Sequence, residues 1–263
     1  MKKIGIALLA FCLCFAGCSK KTSGGMLLKE GNLSIGVNIA YPPFEYYDAD
    51  GKTALGFDID LGKAIAKKLG VNAEIVDVAW EGIFAGLDTS KYDCVISGIT
   101  ITPERQAAYE LSNPYVGNGQ AIILKKGSGV KVKTPEDLKG LTVGYLTEST
   151  SDIFMTKKAE AGLKFKAAEY DDAMNSFADL KTGRCDAVVS DSLVAVDYVS
   201  KKDNPFEIVW QGKPEEYIGI AIKKGNTKLL ESVNKALEEL LADGTLKELS
   251  IKNFGSDIVS TAN

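Results

Sequence analysis

The chain of 263 residues contains no histidine. That excludes Ser-His-Asp and Cys-His catalysis, imidazole metal sites and a histidine pH switch. Arginine is nearly absent as well: of 31 basic residues, Arg105 and Arg184 alone are arginines. Planar donor forks for gripping carboxylate or phosphate are therefore scarce, and each of the two matters. The formal charge is −4, and no basic stripe interleaved with aromatics occurs, which argues against a nucleic-acid partner. No strand with a glycine fingerprint opens a helix, so no phosphate cradle is expected, and no metal or cofactor either. What remains is 45% apolar and 25% charged, the mix of a folded chain with one large domain or two ordinary ones.

The N-terminus reads as an address. Lys2 and Lys3 precede an apolar run from Ile4 to Gly17, 14 residues long, too short to span a bilayer but suited to a secretory signal. Its end, Phe15-Ala16-Gly17-Cys18, resembles the lipobox of bacterial lipoproteins, in which the cysteine is acylated and becomes the new N-terminus. The plainer alternative is an ordinary signal cleaved near Ala16. Loss of residues 1–17 removes two lysines and no acid, which takes the charge from −4 to −6. Ser19 to Gly25 is polar and glycine-containing, a flexible tether. The body is thus expected outside the cytoplasmic membrane, anchored by lipid at Cys18. Cys12 and Cys14 leave with the signal. Cys94 and Cys185 each open an apolar run and are expected as buried thiols, not a disulfide.

The body repeats one design. Strand candidates at Leu33–Val37, Ala73–Val78 and Asp93–Gly98 alternate with helices, one carrying Phe57, Leu61, Ile65 and Leu69 and one running from Trp80 to Leu87. The second half offers strands at Leu141–Tyr145, Leu163–Ala168 and Asp186–Asp191. Its helices follow Asp152 and carry Phe177 and Leu180. Phe84, Leu87 and Asp93 recur as Phe177, Leu180 and Asp186, each 93 residues on. Two α/β lobes, each with a mainly parallel sheet, are expected. Asn113 to Gln120 leads into the strand Ala121–Leu124, and Pro214 to Tyr217 into Ile218–Ile222, giving two crossings, a hinge and an interlobe cleft. A helix bearing Leu230, Val233, Leu237 and Leu240 stops at Asp243-Gly244, and another runs from Thr245 to Asn253.

Tyr41-Pro42-Pro43-Phe44-Glu45-Tyr46, Gly56-Phe57-Asp58-Ile59-Asp60-Leu61, Thr100-Ile101-Thr102-Pro103-Glu104-Arg105, Asn113-Pro114-Tyr115 and Ala242-Asp243-Gly244-Thr245 occur in this order. Together they resemble the extracellular solute-binding protein family 3, the amino-acid receptors of bacterial ABC importers, over roughly residues 30–255. The resemblance implies the type II periplasmic-binding-protein, or Venus-flytrap, fold. It also implies an amino-acid ligand, an ABC permease as partner, a monomer, and no catalysis. The chain divides accordingly into a signal (1–17), lipidated Cys18 with tether (18–30), lobe one (31–117 with 218–263) and lobe two (118–217).

A free amino acid carries one carboxylate and one ammonium at fixed separation, so its receptor needs a cation and an anion facing each other in a dry cleft. Arg105 lies in the first turn of a helix marked by Thr102 as cap and Pro103 at its first position. A guanidinium grips carboxylate with two parallel hydrogen bonds, which lysine cannot do. The resemblance implies that Gly98 and Thr100 assist it, and that Ser149 and Thr150 donate to the same carboxylate from across the cleft. It gives Asp191 the α-ammonium, Tyr41 and Trp80 the ligand's side chain as a sandwich, and Asn38, Ser97 and Leu146 further lining. On the residues alone, Asp191 could equally be a helix cap, and Trp80 plain core; Phe44 and Phe84 read as core. Two departures bear on specificity. Asn38 stands where many members carry an acid, which points to a polar, uncharged ligand. Glu148 stands where many have glycine, and its carboxylate either faces solvent or meets a positive ligand group. The rival readings are an amino-acid sensor that reports to a signalling protein and a dehydratase of the same fold using Glu45, Glu148 or Asp191.

Overall fold

The computed structural model describes residues 25–259. The signal stretch 1–17, Cys18 and most of the tether lie outside the described residues. In chain order the first part runs β1 (Asn32–Val37), β2 (Tyr46–Tyr47), β3 (Ala54–Leu55), α1 (Phe57–Lys68), β4 (Asn72–Asp77), α2 (Ile83–Asp88), β5 (Cys94–Val95), α3 (Pro103–Ala108) and β6 (Tyr109–Leu111). Then come β7 (Val116–Asn118), β8 (Gln120–Lys125), β9 (Thr142–Leu146), α4 (Thr150–Glu160), β10 (Lys166–Tyr170), α5 (Ala173–Thr182), β11 (Ala187–Asp191), α6 (Ser192–Ser200) and β12 (Phe206–Gln211). The chain closes with β13 (Glu216–Ile218), β14 (Ala221–Lys223), α7 (Thr227–Ala242) and α8 (Thr245–Phe254).

Two five-stranded sheets organise these elements, in the orders β4-β1-β5-β14-β6 and β10-β9-β11-β8-β12. In each, four strands share a direction and one runs against them, β14 in the first and β8 in the second. Each reversed strand is the one the chain enters after a crossing. The crossings themselves, β7 and β13, pair antiparallel, with Asn118 opposite Glu216 and Ile218 opposite Val116. The two halves also repeat in detail. Asp93 accepts from the Ser34 N–H of β1 at 2.8 Å, and Asp186 from the Thr142 N–H of β9 at 2.8 Å. Each carboxylate thus fastens the sheet's first central strand to the segment entering its neighbour.

Helix faces follow the apolar spacing. α1 buries Phe57, Ile59, Leu61 and Ile65, while α7 buries Leu229, Val233, Leu237 and Leu240, a stripe at three- and four-residue steps. Cys94 and Cys185 are buried free thiols, each pushed upward chiefly by burial. The strand expected over Asp93–Gly98 is confined to Cys94–Val95, and a 3-10 turn over Trp80–Gly82 precedes α2. Three further elements depart from the sequence reading for a visible reason. α4 starts at Thr150, earlier than expected, because the Ser149 hydroxyl caps it by accepting from the Ser151 and Asp152 N–H groups. β10 starts three residues late, after Gly162 turns the chain at φ 102°. Ile218–Ile222, read as one strand, is divided between β13 and β14, because the Gly219 N–H leaves the ladder to donate to Ile99 at 2.9 Å.

Gly56 locks the start of α1 against residues 43–45. Its φ is 122°, and a Cβ there would lie 2.2 Å from the Phe44 carbonyl oxygen. Gly56→Ala therefore meets both a backbone penalty and a backbone clash, and should destabilise the protein by about 3 kcal/mol or more. Chemical denaturation of the two proteins checks this.

Candidate functional site

A cavity opens between the two sheets. Asn38, Tyr41, Trp80, Ser97, Gly98, Thr100 and Arg105 line it from one side, and Leu146, Ser149, Thr150 and Asp191 from the other. All eleven residues expected at the site border this one space, and Glu45 joins them.

Arg105 is placed by α3. Thr102 caps that helix by accepting from the Arg105 N–H at 3.2 Å, and Pro103 occupies its first position. One guanidinium nitrogen donates to the Thr100 carbonyl at 3.0 Å. The guanidinium carbon lies 5.2 Å from the Phe84 ring centroid and 5.8 Å from that of Trp80, within cation–π range. Phe84, expected as core, is instead half-buried: it stacks on Tyr109 and supports the guanidinium. Burial pulls the Arg105 pKa down, while Asp191 and Tyr41 oppose that shift. It remains charged.

Asp191 ends β11 and begins α6, yet makes no side-chain cap to that helix. Its carboxylate turns into the cavity. Oδ2 accepts from the Tyr41 hydroxyl at 2.7 Å, and Oδ1 from the Gln120 amide at 3.2 Å. Burial raises its pKa, and Tyr41, Gln120 and the Arg105 charge draw it back. No ion pair joins Arg105 and Asp191. A cation and an anion thus face one cavity from opposite sides, each held by its own neighbours.

Trp80 donates from its indole N–H to the Thr147 carbonyl at 2.9 Å. Leu146 packs into the same apolar cluster as Trp80, Ile83 and Val95. With the Tyr41–Asp191 bond, these contacts tie the two sheets together across the cleft. Asn38 spends its amide on the Val78 carbonyl at 3.1 Å. The Ser149 hydroxyl, expected to face a ligand, donates to the Leu146 carbonyl at 2.7 Å and accepts two helix N–H groups. Capping consumes it, so any donation from this corner falls to the helix backbone and Thr150. Glu148 is exposed, with φ 56°. Its carboxylate faces solvent, and its backbone is left-handed, a conformation that glycine adopts at no steric cost.

Sequence reasoning missed a polar layer beneath the cavity. Gln120 forks between Asp191, Thr150 and Glu216 through its NH₂, and accepts from Ser151 through its carbonyl at 2.7 Å. Nothing in the run before Ala121 announced it. Glu216, from the second crossing, reaches the same layer, where burial first and Asp191 second push its pKa up to about 7. Glu45 and Asp58 lie under Ser97 and Gly98, and their place inside two of the motif fragments was the available signal. Among the described residues no group of three or more acids or cysteines could hold a metal ion, and no helix is long and apolar enough to cross a membrane.

The bacterial extracellular solute-binding proteins, family 3, match residues 33–256. The L-cystine-binding protein TcyJ of Escherichia coli (strain K12) is 36% identical over 248 residues, which is 92% of each chain. An ancestral arginine-binding protein solved with arginine is 44% identical, with a TM-score of 0.81, covering 86% of this chain and 99% of that one. The same kind of ancestral protein solved with glutamine is 45% identical, with a TM-score of 0.80, over 87% and 100%. All three are described as binding proteins.

The Glu216 shift has a thermodynamic sign. Its folded-state pKa of about 7 exceeds the ordinary 4.5, so between these values the native state holds the extra proton. Stability must then fall as pH climbs through that interval. Glu216→Gln should make the fall shallower, as read from denaturation midpoints of the ligand-free protein across that range.

Proposed function

We propose that this chain, which belongs to the bacterial extracellular solute-binding proteins, family 3, captures one polar, uncharged L-amino acid between its lobes and delivers it to an ABC permease. The observation that carries this reading is the pair of opposite charges, Arg105 and Asp191, facing one cavity unjoined. A zwitterion completes both. Its carboxylate takes the free donors of Arg105 and the N-terminal N–H groups of α4. Its ammonium takes Asp191. Tyr41 and Trp80 wall the side chain, and removal of its apolar stem from water adds about 25 cal/mol per Å².

Lobe one (31–117 with 218–263) offers Arg105, Tyr41 and Trp80 to the open cleft, and lobe two (118–217) brings Asp191 and Thr150 over the bound ligand. The bonds Tyr41–Asp191 and Trp80–Thr147 span the two lobes, so they exist in the shut form alone. A ligand that also bridges the lobes favours that form by its difference in affinity between the two states. The shut form is the one the permease reads. Asp191 is occupied by the ammonium, Asn38 is neutral, and Glu45, the other acid on the cavity lining, already accepts from the Ser97 hydroxyl. A glutamine-like ligand therefore fits better than arginine, although relatives hold both. The cleft acids serve binding and positioning, and no reaction is assigned to them. The monomer stands outside the cytoplasmic membrane on a lipid carried by Cys18, and the Met26 carbonyl, near the start of the described residues, accepts from the Asn226 amide.

Calorimetric titration of L-glutamine, L-arginine and L-cystine into the protein lacking residues 1–18 tests this. Glutamine should bind about tenfold or more tighter than arginine, because an unpaired buried guanidinium is costly. Arg105→Lys should cost about a hundredfold or more in affinity, as when one partner of a buried pair is lost. Tighter binding of arginine would overturn the uncharged ligand, and an indifferent Arg105→Lys would overturn the carboxylate grip.

A further inference from the structure

Two fully buried acids, Glu45 and Asp58, have no role in the binding scheme above. They are brought together by the backbone: the Phe57 N–H donates to the Pro43 carbonyl at 3.0 Å, and the Asp58 N–H to that of Phe44 at 2.9 Å. Asp58 is well supplied with donors. Its Oδ2 accepts from the Gly98 N–H at 2.7 Å, and the Tyr115 hydroxyl reaches Oδ1 at 2.9 Å and Oδ2 at 3.0 Å. Glu45 is half supplied. Its Oε1 accepts from the Ser97 hydroxyl at 2.7 Å, and that hydroxyl oxygen in turn accepts from the Asn38 N–H at 3.0 Å. Its Oε2 is out of reach of water and meets no donor. The group beside it is the Asp58 carboxylate, whose charge helps to raise the Glu45 pKa.

Two carboxylates in contact and out of water cannot both be ionised. The oxygen without a donor is the one that must carry the proton. We propose that Glu45 is a positioning residue kept neutral, donating from Oε2 to Asp58, and that this singly charged pair holds Ser97 and Gly98 as the wall of the ligand cleft.

The surroundings agree. Burial first, and the Asp58 charge second, push the Glu45 pKa well above 4.5, while burial raises Asp58 to about 7. The other titratable groups facing the pair are Tyr41 and Tyr115, both pushed up and therefore neutral. Among the described residues no lysine or arginine pairs with either acid. Nothing but hydrogen-bond donors therefore compensates the shared charge. Loss of the proton leaves two adjacent anions under Ser97 and Gly98, and the wall moves. A glutamine at 45 reproduces the neutral form, accepting from Ser97 and donating to Asp58. An alanine does neither.

The test uses the detergent-solubilised full chain and has two arms. The infrared difference spectrum of wild type minus Glu45→Gln near neutral pH should contain the carbonyl band of a protonated carboxylic acid. Its absence overturns the proposal, whatever the ligand is. The second arm presupposes the amino-acid reading above and titrates L-glutamine. Glu45→Ala should weaken binding about tenfold to a hundredfold, as expected for hydrogen bonds lost around a buried charge, and Glu45→Gln should restore it. Wild-type affinity should fall more steeply toward alkaline pH than that of Glu45→Gln, which has no proton to release. Equal slopes, or a Glu45→Gln protein as weak as Glu45→Ala, would overturn the positioning role. If wild type ignores glutamine, the ligand reading fails while the infrared band still decides the pair.

Discussion

The site depends on keeping two opposite charges apart. At an effective dielectric near 20, unit charges 4 Å apart attract by about 4 kcal/mol, enough to draw a free arginine and aspartate into a pair that would fill the cleft. Each is restrained by local bonds. Arg105 is anchored to the Thr100 carbonyl and bedded on Phe84 and Trp80, and Asp191 is anchored to Tyr41 and Gln120. Those anchors explain why the surrounding layer is polar and why so little of it touches the cavity. They leave an unfinished ion pair open between the two sheets.

The four buried or half-buried acids around the cleft show how environment divides one functional group into different roles. Asp191 has the donors Tyr41, Asn118 and Gln120 and the Arg105 charge to steady its anion. Asp58 has the donors without the cation. Glu216, half-buried beside Asp191, titrates near neutrality. Glu45 has one donor and an anion for a neighbour, which leaves it neutral. No reading of residue type alone separates these four.

Much of the fold was legible because apolar spacing and caps act locally. The α7 stripe from Leu229 to Leu240 and the Thr102-Pro103 start of α3 depend on neighbours within a turn or two. The lining of the site was legible through short motifs whose residues share one sheet edge. What stayed hidden was set by distant partners. Gln120 acquires meaning through Asp191 and Glu216, far along the chain. The Ser149 hydroxyl, which the resemblance makes a donor to the ligand carboxylate, is claimed instead by the start of α4. Phe84 was read as core because its partner, the Arg105 guanidinium, comes from another element. The division of Ile218–Ile222 turns on Ile99, which no periodicity relates to it.

The two crossings have an architectural consequence. Because Val116–Asn118 and Glu216–Ile218 lie side by side in a short antiparallel ribbon, the hundred or so residues between them leave and rejoin the rest of the chain at one doorway. The intervening half is topologically a cassette. It can be exchanged for the corresponding half of a relative by matching three paired positions, without rethreading the other sheet. Recombination, natural or designed, can therefore reassort the anion-bearing half against the cation-bearing half and create new ligand preferences in a single event.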